Sequence, residues 1–261
     1  MHWCIQDNLF PERGIEDLIQ LLDRAQIPYS LHKVVPFVGE IEPDLDVDGP
    51  VMVMGSYSMR HIAKRKGWSP GVFDLEFFDY EAQKAAWPGH MLNDDLVSCA
   101  FGDAPARMPA ETVFIRPLAD SKFFAGTVMS RDEIEPWVAD VAALTEDDYG
   151  DSLRDTTPIL MAAPKTILRE YRTWIIGGTV ATASLYKQGR TVIYKSDVDD
   201  AVLAYANARA AEFCPLDGFV LDVAEIPEGF RIVECNTLNA AGLYAGNVGK
   251  IVEAIENLTN G

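Results

Sequence analysis

Basic residues are scarce in this chain: 22 Lys and Arg stand against 40 Asp and Glu, a net charge of −18 at neutral pH. Such a surface repels phosphate polymers and anionic bilayers, and no basic stripe counters it, so no nucleic acid and no membrane is expected as primary partner. Cysteine is also sparse. Cys4, Cys99, Cys214 and Cys235 lie far apart with no C-x-x-C pair, and His2, His32, His61 and His90 show no zinc-ligand spacing. That argues against a zinc site or a disulfide framework and for buried, reduced thiols. No apolar run approaches the roughly 18 residues of a membrane span. The start "MHWCIQDNLF" has no basic region followed by an apolar core, so a cytoplasmic location is expected.

What is present is ordinary globular material, 48% hydrophobic and 24% charged over 261 residues, enough for one large domain or two to three small ones. "HWCIQ", "YSLHKVV" and "VMVMGSY" read as strands. Ile15, Leu18, Ile19 and Leu22 mark the apolar face of a helix over about 12–25, and a second helix is expected over Tyr57–Lys66. Gly55-Ser56 between the third strand and that helix is either a structural turn or an anion cradle. These elements predict a small α/β lobe with a largely parallel, Rossmann-like sheet, extending to about residue 110, although 67–110 itself carries no clear pattern.

Beyond it come the strand "TVFIRP" (112–117), a capping box at Ser130–Glu133 that opens a helix, and an acidic linker, "TEDDYGDSLRDTTP". From Pro158 onward, strands with tight turns dominate. Gly177-Gly178 predicts one hairpin, a helix is expected from Ser196 to about Phe213, "GFVLDVAEI" and "RIVECN" flank a second hairpin, and a last helix is expected near Asn247–Leu258. Antiparallel strands with helices on one side make this half α+β.

The chemistry is concentrated in the second hairpin. With the turn near Pro227–Gly229, pairing about residue 228 sets Asp222 opposite Glu234. Opposed residues of an antiparallel pair share a face with Cβ atoms about 4.5–5.5 Å apart. Asn236, two residues on, shares that face. Two carboxylates and an amide oxygen form a hard donor set of the kind that takes Mg2+ together with phosphate oxygens; the bland alternative is a solvated sheet face. A small positive island, Arg116, Lys122, Lys165 and Arg172, would be needed for an acidic protein to hold a triphosphate, though each is also readable as a surface cation.

Taken in order, "VFIRPLADSKFFAGTV", "PKTILREYRTWIIGGTVATASLY" and "GFVLDVAEIPEGFRIVECNTLNAAGLY" resemble the ATP-grasp superfamily, in particular its clade named for one arginine and two lysines, over about 110–258. The resemblance implies a pre-ATP-grasp α/β lobe (1–110) followed by an ATP-grasp domain (111–261) of two α+β subdomains, about 111–157 and 158–261, that grip ATP. It implies an ATP-dependent, ADP-forming ligase that joins a small-molecule or peptide carboxylate to an amine through an acyl phosphate. It also implies two Mg2+ ions held by Asp222, Glu234 and Asn236. Lys122 and Lys165 would hold phosphates, the backbone of Met161, Ala162 and Ala163 would read adenine, Glu170 would touch nucleotide or substrate, Arg172 would contact a phosphate or the acyl phosphate, and Arg116, which with Arg172 is a claimant for the clade's arginine, would be the second catalytic residue. The loop around "LADSKFFAG" has fewer glycines than the phosphate-covering loops of many such enzymes.

Such a reaction needs positioned charge, since γ-phosphoryl transfer to a carboxylate brings anions together. No Ser-His or Cys-His pair is called for, and all four histidines precede the proposed catalytic half. Tyr186, Tyr244 and Asn239 lie close to the site in sequence and are readable as substrate contacts, or for the tyrosines as packing. Two other readings stay open: a kinase on the same scaffold, and a nucleotide-binding module without turnover.

Overall fold

The computed structural model of the chain describes residues 1–8, 14–35, 38–118, 124–145 and 153–258. It divides into two compact units, Met1–Leu92 with Ile167–Gly261, and Asn93–Thr166.

The first sheet of the larger unit is built from β1 (His2–Gln6), β2 (Tyr29–Val35), β3 (Glu40–Glu42), β4 (Val51–Met54) and β5 (Pro70–Gly71), in the order β3-β2-β1-β4-β5. β1 pairs in parallel with both β2 and β4, and only β3 runs antiparallel. Trp3, Cys4 and Ile5 are all buried, as a central parallel strand covered on both faces requires. Helix α1 (Ile15–Ala25) supplies Leu18 and Leu22 to the core at helical spacing, and α2 (Met59–Lys66) and α3 (Tyr80–Ala86) follow β4 and β5.

The smaller unit begins with β6 (Val97–Ala100), α4 (Ala104–Arg107), β7 (Thr112–Pro117), β8 (Thr127–Ser130) and α5 (Arg131–Ala142), and ends with β9 (Pro158–Ala162). Its sheet has the order β6-β9-β7-β8, over a core of Phe101, Val113, Ile115, Ile134, Ile159 and Met161. The predicted capping box is present: the Ser130 N–H donates to Glu133 Oε2 at 2.7 Å.

The larger unit resumes with β10 (Arg169–Ile176), β11 (Thr179–Gln188), β12 (Thr191–Lys195), α6 (Asp200–Glu212), β13 (Gly218–Ile226), β14 (Gly229–Thr237) and α7 (Val248–Leu258). Its second sheet is antiparallel, in the order β12-β11-β10-β13-β14. Gly177 and Gly178 close the β10–β11 hairpin with φ of 60° and 76°, the left-handed pair a two-residue turn of this type requires. Trp174, Ile176 and Val220 on one face of this sheet join Trp3, Ile5, Leu18 and Leu22 of the first lobe and Ile251 and Ile255 of α7 in one core.

The fold class is thus the expected combination of a parallel-sheet lobe and α+β layers. The compact units do not follow the expected division at residue 110. β6 pairs with β9, which groups 93–110 with the central segment, and the shared core groups the last 95 residues, 167–261, with the N-terminal lobe. Helix α6 starts at Asp200, where the Asp199 side chain caps the Ala201 N–H, rather than at the expected Ser196. No helix among the described residues is long and apolar enough to cross a membrane.

Candidate functional site

The β13–β14 hairpin places Asp222 opposite Glu234, as the spacing predicts, by a route the spacing did not show. From Ile226–Gly229 to Val223–Ile232 the pairs are centred on a two-residue turn, Pro227-Glu228. The register then shifts between Asp222 and Val223, so that Val233 is an extra residue on β14. Beyond it, Asp222 pairs with Glu234, Leu221 with Cys235 and Val220 with Asn236. Without the extra residue Glu234 would oppose Leu221 and share its buried, apolar face. The bulge turns Glu234 and Asn236 onto the face of Asp222.

β14 is an edge strand, and its outer side is covered. Gln83 on α3 accepts from the Cys235 N–H at 2.7 Å and donates to the Cys235 carbonyl at 3.2 Å. Ile232 donates to the His90 carbonyl and accepts from Leu92 N–H, each at 2.7 Å. These bonds fix the backbone on both sides of Glu234. No sequence signal marked Gln83, because it lies in the stretch without a clear pattern.

On the inner side, Arg172 of β10 pairs across the sheet with Asp222. Its Nε donates to Oδ1 and its Nη2 to Oδ2, both at 2.9 Å, a bidentate pair in which Arg172 is 9% and Asp222 2% exposed. Arg172, Asp222 and Glu234 therefore form one row across β10, β13 and β14. Glu170, also on β10, is buried; it accepts from Tyr186 Oη at 2.9 Å and pairs with Lys187 Nζ at 2.6 Å. Burial pushes the Asp222 carboxyl up, as do the Glu234 and Glu170 carboxylates, while the two bonds and the charge of Arg172 pull it down. Burial also raises the Tyr186 hydroxyl, reinforced by Asp222 and Glu170, so Tyr186 stays protonated and donates. The Arg172 Cζ lies 4.5 Å from the centroid of the Tyr244 ring, and both Tyr186 and Tyr194 pack against Tyr244.

The donor set suits a hard divalent cation. Glu234 and Asn236 are half-buried, and the Asn236 amide N–H donates to Glu234 Oε1 at 2.9 Å, so that Asn236 offers a cation its carbonyl oxygen and Glu234 offers a carboxylate already held in place. Each Asp222 oxygen accepts one bond from Arg172 and retains lone-pair capacity. Among the described residues no group of three or more His, Cys, Asp and Glu is arranged to hold a metal ion. Two carboxylates and an amide are part of a shell of the kind Mg2+ completes with water and phosphate oxygens.

The remaining predicted residues lie in the smaller unit. Arg116 is the penultimate residue of β7, half-buried, with its Nε donating to the Pro117 carbonyl at 3.3 Å. Met161 and Ala162 are buried at the end of β9. The Ala163 N–H donates to Asp95 Oδ2 at 3.1 Å, and Lys165 Nζ pairs with Asp95 Oδ1 at 2.8 Å. Burial acts to raise the Asp95 carboxyl, but the Lys165 and Ala163 bonds bring it below its ordinary value. Lys122 lies outside the described residues.

Of two nearby readings, that of Asn239 is corrected and that of the Gly55-Ser56 turn is decided between its two alternatives. Asn239 is no substrate contact: it is 3% exposed, its Oδ1 accepts from the Phe73 N–H at 2.7 Å, and its Nδ2 donates to the Val53 and Gly71 carbonyls. It ties the loop after β14 to the first lobe. At the Gly55-Ser56 turn, the Gly55 N–H donates to the Asn239 carbonyl and the Ser56 N–H to Gln6 Oε1, so both backbone donors are used internally and the turn is structural.

Comparison with known proteins gives a consistent assignment. The sequence model that matches, over residues 48–255, is that of an ATP-grasp domain, the third family of the clade named for one arginine and two lysines. No curated protein matches. Among solved structures, D-cycloserine synthetase DcsG superposes with a TM-score of 0.63 at 13% identity, covering 98% of this chain and 99% of that one. D-alanine–D-alanine ligase from Bacillus anthracis gives 0.63 at 12% identity, covering 100% and 99%. The ATP-grasp ligase PsnB, complexed with a minimal precursor, gives 0.60 at 13% identity, covering 99% and 98%. At these identities the likeness is one of fold.

Proposed function

The chain belongs to the ATP-grasp domains, in the third family of the one-arginine, two-lysine clade, and from that premise we propose that it is an ATP-dependent ligase joining a carboxylate to an amine, with release of ADP and phosphate. The observation that carries the reading is the row Arg172–Asp222–Glu234, with Asn236 turned onto the same face by the bulge at Val233. The names of the structural neighbours, two ligases and a synthetase, support the same class, and the precursor peptide held by PsnB in a further solved complex supports a peptide as one form of substrate.

In this reading Asp222, Glu234 and Asn236 hold Mg2+, for which two ions are proposed, and the metal when bound neutralises phosphate charge. Arg172 is the counter-charge that opposes the upward push on Asp222 and fixes its carboxylate plane, and the N–H groups it does not commit to Asp222 and Gly242 are assigned to a phosphate or the acyl phosphate. The backbone of Met161, Ala162 and Ala163 is assigned to adenine, Lys165 and Lys122 to phosphates, Glu170 to nucleotide or substrate, and Arg116 to the reacting anions. The substrate carboxylate oxygen attacks the γ-phosphorus and the bond to the β-phosphate oxygen breaks, giving ADP and an acyl phosphate. The amine then attacks the acyl carbon, phosphate leaves, and the amine proton passes to solvent or phosphate. The protein's part is placement and charge, with no nucleophilic side chain.

A screen of acid and amine pairs for metal-dependent ADP release tests the reading. Glu234→Ala is expected to abolish release while its circular dichroism stays that of the wild type. Equal turnover in that variant removes the metal assignment, and a stable phosphorylated product with no amine requirement identifies a kinase instead.

A further inference from the structure

After β14 the chain turns back across the site at Leu243–Gly246, where the Gly246 N–H donates to the Leu243 carbonyl at 2.9 Å. Tyr244 is the first central residue of this turn, with φ of 47°. Turns with positive φ at that place ordinarily take Gly, Asn or Asp, and a bulky aromatic there is an outlier. Such an outlier persists where the surroundings hold it and the side chain has work to do.

The surroundings do hold it. The Ala245 N–H donates to Ser184 Oγ at 3.2 Å and the Asn247 N–H to Thr182 Oγ1 at 3.0 Å, tying the turn to β11. The approach is close: a Cβ at Gly246 would lie 2.8 Å from the Trp174 ring. The work of the side chain is equally specific. Arg172 is fixed at its edge by Asp222 and by the Gly242 carbonyl, which accepts from Nη1 at 3.3 Å. Its Cζ lies over the Tyr244 ring, 4.5 Å from the centroid and nearer than to the Tyr186 ring at 5.9 Å, and the Tyr244 ring is braced by Tyr186 and Tyr194 at centroid distances of 5.4 and 5.1 Å. The Nη1 bond to Gly242 is long and bonds at the edge tolerate bending, so they hold the tilt of the guanidinium loosely; the ring beneath Cζ adds a restraint in the direction they oppose least.

We propose that Tyr244 is a positioning residue, held in a strained turn so that its ring fixes the plane of the Arg172 guanidinium and, through it, the orientation of Asp222. What the oriented pair serves rests on the function proposed above; the geometric claim does not. The test is hydrogen exchange of the Arg172 side-chain Nε–H, followed by nuclear magnetic resonance on the full chain, alongside kcat and KM for ATP. In Tyr244→Phe, which keeps the ring, exchange should stay as slow as in the wild type. In Tyr244→Asn, which tolerates the left-handed backbone but has no ring, exchange should quicken by about tenfold, and kcat should fall by a similar factor with KM for ATP within about twofold. Tyr244→Gly, which adopts the turn without strain, is the second ring-less variant if the Asn variant does not fold. Unchanged Arg172 exchange in the folded ring-less variant overturns the proposal, whatever happens to its melting temperature. If the wild type releases no ADP with any substrate pair, the function reading fails while the exchange measurement still decides the role of Tyr244.

Discussion

Removing the counter-charge of Asp222 is the most informative perturbation of the fold. Both partners of the pair are buried, at 9% and 2% exposure, and both carboxylate oxygens of Asp222 are bonded by Arg172. Arg172→Met leaves the long apolar stem in place and strands a carboxylate among Glu234 and Glu170. Breaking one side of such a buried pair costs about 3–5 kcal/mol. For a chain of this size, where 1 kcal/mol moves the midpoint by roughly 2–4 °C, the loss is about 6–20 °C in thermal unfolding. The double variant Arg172→Met with Asp222→Leu removes both charges and should recover most of that loss, because the penalty lies in the unpaired ion rather than in the missing attraction. Calorimetry or denaturant titration of the wild type, the two single variants and the double variant measures both numbers. A single variant that loses less than about 1 kcal/mol, or a double variant that loses as much as the sum of its parts, would refute a buried, mutually dependent pair.

Three further outcomes follow from named contacts. Asn239→Ala strands the Phe73 N–H and the Val53 carbonyl, each buried, and should cost about 2–4 kcal/mol in denaturant titration, whereas a surface side chain would cost almost nothing. The Asp95 carboxyl is held below its ordinary 3.8 by Lys165 and Ala163 against burial, so its stabilisation is present above that value and is lost as pH falls through the lower folded value. Since the Lys165 and Asp95 side chains are 28% and 41% exposed, Asp95→Asn should cost less than about 1 kcal/mol at pH 7, with the difference from wild type vanishing in acid. A thiol reagent at pH 8 should label exposed Cys214 in the native protein, while Cys4, buried and pushed up to about 12, and Cys235, pushed up by burial and by Asp222 and Glu234, react only after unfolding; labelling of Cys235 first would place it at the surface.

The pattern of what the sequence revealed has a physical basis. The Asp222–Glu234 pairing was legible because a hairpin is local: a turn of known residues and two alternating flanks leave few registers. The bulge at Val233 was not, since nothing in "RIVECN" marks the extra residue, and the expected pairing arose from a turn centred half a residue off combined with an insertion the strand itself hides. The Arg172–Asp222 pair was beyond reach because β10 and β13 become neighbours only through sheet order, fifty residues apart in sequence. The same holds for Asp95 with Lys165 and for Gln83 with Cys235. Residues 67–110 stayed opaque because their elements are short: α3 has 7 residues and β6 has 4, too few for a period to show.

The central claim is that the face carrying Asp222, Glu234 and Asn236 holds the divalent cation of a bound nucleotide. Anomalous scattering from a crystal grown with Mn2+ and a non-hydrolysable ATP analogue tests it most directly. The account predicts metal density at coordination distance, about 2 Å for an ion of this type, from oxygens of Asp222, Glu234 and Asn236. Nucleotide bound with its metal against other side chains, and those three residues without metal, would contradict it.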